Sequence, residues 1–139
     1  RSSDLARVSM VLAVTERRAE VSLHNADVFT ATVGGVRLTE PASDLAVALA
    51  VASAAADRPL PAGLVVVGEV GLAGEVRPVQ GVERRLAEAA RLGFTHALAP
   101  AHSGATPAEM QVTEVEDLRH AIASAFRHAV IPLRRPSPN

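Results

Sequence analysis

Residues 64–92 constrain the fold of this chain more than any other stretch. Residues 64–70, apolar but for Glu69, read as one continuous strand with both sheet faces covered. Gly71 and Gly74 bracket a turn, and 75–79 reads as a short returning strand. A helix follows over 81–92, with Val82, Leu86, Ala89 and Ala90 on one stripe and Arg84, Glu88 and Arg91 on the opposite one. Glu88 is spaced to pair with both arginines, and Gly93 is a natural residue just past a helix end. A strand, a tight turn, a strand and an amphipathic helix in that order belong to a layered α/β domain.

The flanking sequence extends this plan. Residues 4–19 read as an amphipathic helix, with Leu5, Val8, Leu12, Thr15 and Ala19 on one stripe and Ser3 as its N-cap. Residues 27–33 look like a strand, Gly34-Gly35 like a turn, and 36–38 like a resumption of the sheet. A helix over 43–56 is apolar all round, so a central buried position is expected, and the Pro59–Pro61 region ends it. Residues 96–99 form a short strand closed by Pro100. Thr113-Glu114-Val115-Glu116 matches a capping box ahead of a helix that buries Leu118, Ala121, Ile122, Ala125 and Phe126. No internal repeat is visible. The expected architecture is one α/β domain over 1–129, a mixed sheet packed with helices. A Pro- and Arg-rich tail over 130–139 is expected to be disordered.

Composition narrows the chemistry. The chain has 139 residues, a size that suits one domain, and contains no cysteine, which excludes a thiol nucleophile, a disulfide framework and Cys-ligated zinc. It fits the cytoplasm, the expected compartment. The longest apolar run, 45–56, is about half the length needed to span a bilayer, so no membrane partner is expected. Every one of the 14 basic residues is arginine, which cannot be deprotonated in a protein and cannot replace a lysine base. The three aromatics, Phe29, Phe94 and Phe126, are too few for a base-stacking platform.

Local motifs add little catalysis. The five histidines form no HxH or HExxH pattern, so no metal site is expected. Gly71-Leu72-Ala73-Gly74 lacks the Gly-Lys-Ser/Thr ending of a phosphate loop and joins two strands, so no ATP site is expected within this chain. Glu69 and Glu75 read as a charged hairpin rim rather than a paired acid and base. The opening residue is Arg1 rather than Met, which suggests a piece of a longer protein.

The run Gly68-Glu69-Val70-Gly71-Leu72-Ala73-Gly74-Glu75-Val76-Arg77-Pro78-Val79-Gln80-Gly81-Val82-Glu83-Arg84-Arg85-Leu86 resembles the signature of the Lon protease proteolytic-domain family. The resemblance is to the form found at the C-terminus of RadA (Sms)-type DNA-repair proteins, and covers roughly 12–126. In active members a Gly-Gly-Leu-Lys pattern supplies the general base and a Pro-Ser-Ala-Gly pattern the nucleophile. The matching residues here are Gln80, Gly81, Val82 and Glu83, and Pro41, Ala42, Ser43 and Asp44. The base position is therefore Glu83, the nucleophile position is Ala42, and no catalytic residue is expected. Ser43 lies one residue on, a turn of about 100° round a helix, and reads as an N-cap.

By this resemblance the chain is a non-catalytic scaffold that self-associates in a ring, a hexamer in the complete protein, and guides duplex DNA. An ATPase core with its ATP and Mg, a zinc-binding segment and contacts to recombination proteins are implied for the longer protein, not for this chain. Arg17-Arg18 and the Arg84-Arg85 pair with Arg91 are the basic groups that could track phosphates; Arg134-Arg135 is a third. A Lon-type peptidase with an atypical dyad and an oligomerisation module without DNA contact are the two competing readings.

Overall fold

The computed structural model describes residues 2–18 and 40–133. Helix α1 (Ser2–Arg18) is followed by a 3-10 turn (Pro41–Ser43), helix α2 (Asp44–Ala56), strands β1 (Leu64–Val66), β2 (Glu69–Val70) and β3 (Val76–Arg77), helix α3 (Val82–Arg91), strands β4 (His96–Pro100) and β5 (Gln111–Val115), and helix α4 (Leu118–Leu133). The strands expected at 27–33 and 36–38 lie outside the described residues.

The domain is α/β. Strands β1, β4 and β5 form a parallel sheet in the order β1-β4-β5, with Leu64 opposite His96 and His96 opposite Gln111. Strands β2 and β3 form a separate antiparallel ribbon, so the described strands make a parallel sheet and a hairpin rather than one mixed sheet. The pleat sorts alternate residues to opposite sides. Leu98 joins a core built with Val11 and Val14 of α1, Leu45 and Leu49 of α2, and Leu118, Ala121 and Ala125 of α4. Its neighbours Ala97 and Ala99 face the other way, onto Val82, Leu86 and Ala89 of α3, with Ala42, Val67 and Met110. Helices therefore cover both faces of the sheet. Each fully buried leucine among them contributes about 1.5–3 kcal/mol.

The expected strand over 64–70 is broken at Val67-Gly68. Gly68 turns its backbone to the start of α2: its N–H donates to the Ala42 carbonyl and its carbonyl accepts the Leu45 N–H, both at 3.0 Å. A Cβ there would lie 3.1 Å from Val76 Cγ1 and 3.3 Å from Leu45 Cδ2, so glycine is what permits the approach. The chain leaves one sheet and begins the ribbon at that point. The ribbon in turn is fastened to the β5–α4 junction, where Val76 N–H donates to the Glu116 carbonyl and Leu118 N–H to the Gly74 carbonyl.

Helix caps differ from the sequence reading. Thr113-Glu114-Val115 lies within β5, paired to β4, so it caps nothing. The cap of α4 is Asp117, whose carboxylate accepts the His120 N–H at 2.8 Å. Ser3 lies inside α1, which starts at Ser2. Ser43 does stand at the N-cap of α2, but its side chain makes no capping hydrogen bond. Helix α4 runs on to Leu133, past residue 129, and 134–139 lie outside the described residues.

Candidate functional site

The nucleophile position, Ala42, sits in the 3-10 turn that opens α2 and is buried against the α3 layer. Two residues on, Asp44 is the most deeply buried charge among the described residues, 1% exposed. It is fully engaged. Arg7 of α1 grips both its oxygens, through Nε at 2.8 Å and Nη2 at 2.7 Å, and the Val70 N–H donates to it at 3.0 Å. The Arg7 guanidinium also approaches Glu69 at 3.5 Å. The hydrogen bond to Asp44, with the attraction of both carboxylates, raises the Arg7 pKa although partial burial opposes it. This forked pair ties α1, the start of α2 and strand β2 together. In the sequence Asp44 stands out only within the Pro41–Asp44 match, and nothing there pairs it with Arg7, 37 positions away. The available signal was a carboxylate on the first turn of an otherwise apolar helix, which needs a partner when buried.

The base position, Glu83, lies in the first turn of α3. Its carboxylate accepts the Ala105 N–H at 3.1 Å, clasping the loop between β4 and β5 to the helix start. That loop is held from its other side by Glu114, which accepts the Ser103 N–H at 3.4 Å. The Ser103 hydroxyl donates to the Pro100 carbonyl, and His102 takes a left-handed backbone with φ of 60°. Between loop and helix lies an open groove of about 620 Å³, lined by Pro78, Val79 and Val82, by Glu83 and Arg84 of α3, and by the Ala101–Ser103 stretch of the loop. The sequence had singled out Glu83 and Arg84 here, but not the groove that joins them to the loop.

The five candidate arginines fall into two groups that the fold keeps on different layers. Arg17 and Arg18 end α1, in the layer that packs on the Leu98 side of the sheet. Arg84, Arg85 and Arg91 lie on α3, on the other side. Arg85 is committed locally, donating to Glu40 at 2.9 Å and to the Gln80 carbonyl at 3.2 Å. Glu88 pairs with Arg91, not with Arg84. Arg84 has no ion-pair partner among the described residues, and its guanidinium lies over Gly81. The hydrogen bond from Arg85 holds the Glu40 carboxyl below its ordinary value, and that from Arg91 does the same for Glu88. No helix among the described residues is long and apolar enough to cross a membrane, and no cluster of metal-ligating side chains occurs among them.

A family model described as subunit ChlI of Mg-chelatase matches residues 11–103. The chain is 47% identical over 127 residues to the DNA repair protein RadA of Mycolicibacterium smegmatis, covering 91% of this chain and 27% of that protein. It is 49% identical over 117 residues to the DNA repair protein RadA of Mycobacterium tuberculosis, covering 84% of this chain and 24% of that protein. The protein of the same name from Streptococcus pneumoniae is 44% identical over 126 residues, 88% of this chain and 30% of that protein. The chain thus spans roughly a quarter of the length of the relatives it matches.

Proposed function

Since the chain belongs to the family described as subunit ChlI of Mg-chelatase and is similar over most of its length to DNA repair proteins named RadA, we propose that it is a non-catalytic scaffold domain of a RadA-type DNA-repair protein. In this reading the fold is that of the Lon proteolytic domain without its dyad. The domain self-associates side by side, toward a six-fold ring in the longer protein, and contacts duplex DNA through phosphates. ATP hydrolysis with Mg, a zinc-binding segment and contacts to recombination proteins belong to the rest of that protein, which acts in the cytoplasm.

The observation that carries this reading is what occupies the two dyad positions. Ala42 offers a buried methyl group, which cannot attack a carbonyl. The Glu83 carboxylate holds a backbone N–H across the groove. Ser43, one residue past Ala42, is at a helix start with no lysine anywhere in the chain to activate it. A fluorophosphonate probe and intact casein, each incubated with the full chain, test this. The expected result is neither labelling nor cleavage; labelling that Ser43→Ala abolishes would favour the peptidase reading.

Oligomerisation without DNA contact is the alternative. Two of the three α3 arginines are already held by Glu40 and Glu88. Each exposed pair is worth only about 0–1 kcal/mol, so phosphate can compete for these guanidinium groups. That weakness keeps DNA contact as the preferred reading.

A further inference from the structure

The β2–β3 hairpin ends in an unusual tip. Turn positions ordinarily carry Gly, Pro, Asn, Asp or Ser, yet Leu72 stands there 73% exposed. An isolated surface leucine is common and by itself signifies nothing. This one is held out by a stiff support. Gly71 N–H donates to the Glu75 carbonyl and Gly74 N–H to the Gly71 carbonyl, both at 2.9 Å. The Glu75 carboxylate folds back to accept the Ala73 N–H at 3.1 Å and the Arg77 Nε–H at 2.9 Å. A Cβ on Gly71 would strike that carboxylate, 2.0 Å from Oε2. The tip is therefore preorganised, and little freedom is lost when something covers it.

The same molecule carries a receptacle that this leucine does not fill: the groove beside α3. Its volume of about 620 Å³ lies within the range of sites that accept ligands, roughly 300–1,000 Å³. Its lining mixes apolar Pro78, Val79, Val82 and Ala101 with Gly81 and the polar, buried Ser103. Its rim pairs an acid with a base, Glu83 and Arg84, and the hairpin carries a matching acid and base, Glu75 and Arg77. Each rim group has bonding capacity left. Glu83 spends one oxygen on Ala105, and Arg84 has no ion-pair partner among the described residues. A hairpin entering the groove of another molecule can set the Arg77 N–H groups not used on Glu75 against Glu83, and the remaining lone pairs of Glu75 against Arg84, with the Glu75–Arg77 pair kept.

We propose that the Leu72 hairpin tip of one copy seats in the α3 groove of a second copy. Knob and receptacle lie on one chain, and each carries an acid beside a base, which is why the partner is another copy rather than a different protein. The contact joins two different surfaces, so it is heterologous, the geometry that closes rings or runs on into filaments. This deepens the self-association proposed above and rests on it, but names a face that the proposed function does not require.

Sedimentation equilibrium of the full chain into the millimolar range tests it, with Leu72→Asp to spoil the knob and Ala101→Arg to block the groove. Leu72 is solvent-exposed and Ala101 is only partly buried, and circular dichroism checks that both variants fold. The wild type should show mass rising with concentration, and each variant should associate about tenfold or more weakly. Mixing the two variants should give a heterodimer and nothing larger, because each supplies the surface the other has lost. Three results would overturn the proposal: a wild type that stays monomeric, a Leu72→Asp or Ala101→Arg variant that associates like the wild type, or a mixture that stays monomeric. The second result leaves self-association through another face standing, whereas the first removes support for the scaffold reading too.

Discussion

Replacing Arg7 by Met should cost this domain a large share of its stability. The substitution keeps an apolar side chain of similar length on α1 and removes two charge-assisted hydrogen bonds, at 2.8 and 2.7 Å, from the Asp44 carboxylate. The carboxylate stays buried, 1% exposed, with one remaining donor, the Val70 N–H at 3.0 Å. Removing one partner of a fully buried pair costs about 3–5 kcal/mol. The Arg7 side chain is 24% exposed, so water reaches one side of the pair and the lower end applies, about 3 kcal/mol. A domain of this size is stable by about 5–15 kcal/mol. At roughly 3 °C per kcal/mol, Tm should fall by about 10 °C. Thermal and urea denaturation followed by circular dichroism measure it. Adding Asp44→Asn to Arg7→Met should recover about 1–2 kcal/mol, because a neutral amide is cheaper to bury and its oxygen still accepts from Val70. A Tm drop under about 2 °C for Arg7→Met, or further loss on adding Asp44→Asn, would refute the claim that this pair fastens α1 to α2 and β2.

Two further predictions concern local chemistry. Asp117→Ala should destabilise by about 1 kcal/mol through loss of the α4 cap, whereas Thr113→Ala should leave the helix cap intact; urea melts compare the two. Glu40, Glu75 and Glu88 all have carboxyls held below their ordinary value of 4.5, by Arg85 for Glu40, first by its own backbone N–H and then by Arg77 for Glu75, and by Arg91 for Glu88. Groups with lowered folded-state pKa contribute stability that is present above the unfolded value and lost as pH falls through the folded one. Tm should therefore hold near neutral pH and fall below about pH 4.5, and the triple Glu→Gln variant should show a shallower fall.

Much of the layered plan was legible because periodicity reports burial. The α3 stripe of Val82, Leu86 and Ala89 is buried as its spacing implies, and the apolar 43–56 stretch is a helix that meets α1, α4 and the sheet. What failed did so where tertiary contacts outweigh local pattern. Thr113-Glu114-Val115-Glu116 has the residues of a capping box, yet β4 recruits Thr113 to Val115 into the sheet, and the cap passes to Asp117. The apolar run through Val67 reads as one strand, but Gly68 spends both its backbone groups on the start of α2. At the candidate site the sequence identified Ala42, Glu83 and the arginines, but not what they touch. Arg7 with Asp44 and Glu83 with Ala105 are contacts across 37 and 22 positions, which no local spacing encodes. The sequence offers Arg17-Arg18 and the α3 arginines as separate basic groups, and the fold places them on opposite sides of the sheet.

On the proposed function, this domain holds phosphates and neighbours rather than catalysing a reaction. The most direct measurement is duplex binding at several salt concentrations, with unrelated sequences, for the parent chain and for Arg84→Ala, Arg85→Ala and Arg91→Ala combined. Binding should be weak and non-specific, with an affinity that falls equally for all sequences in the variant and a salt slope shallower by about one counterion per lost contact. Arg84 should account for the largest single part, since Arg85 and Arg91 must first leave Glu40 and Glu88. Identical affinities and slopes for parent and variant would contradict it, and would mark α3 as a solvated face of a pure oligomerisation module.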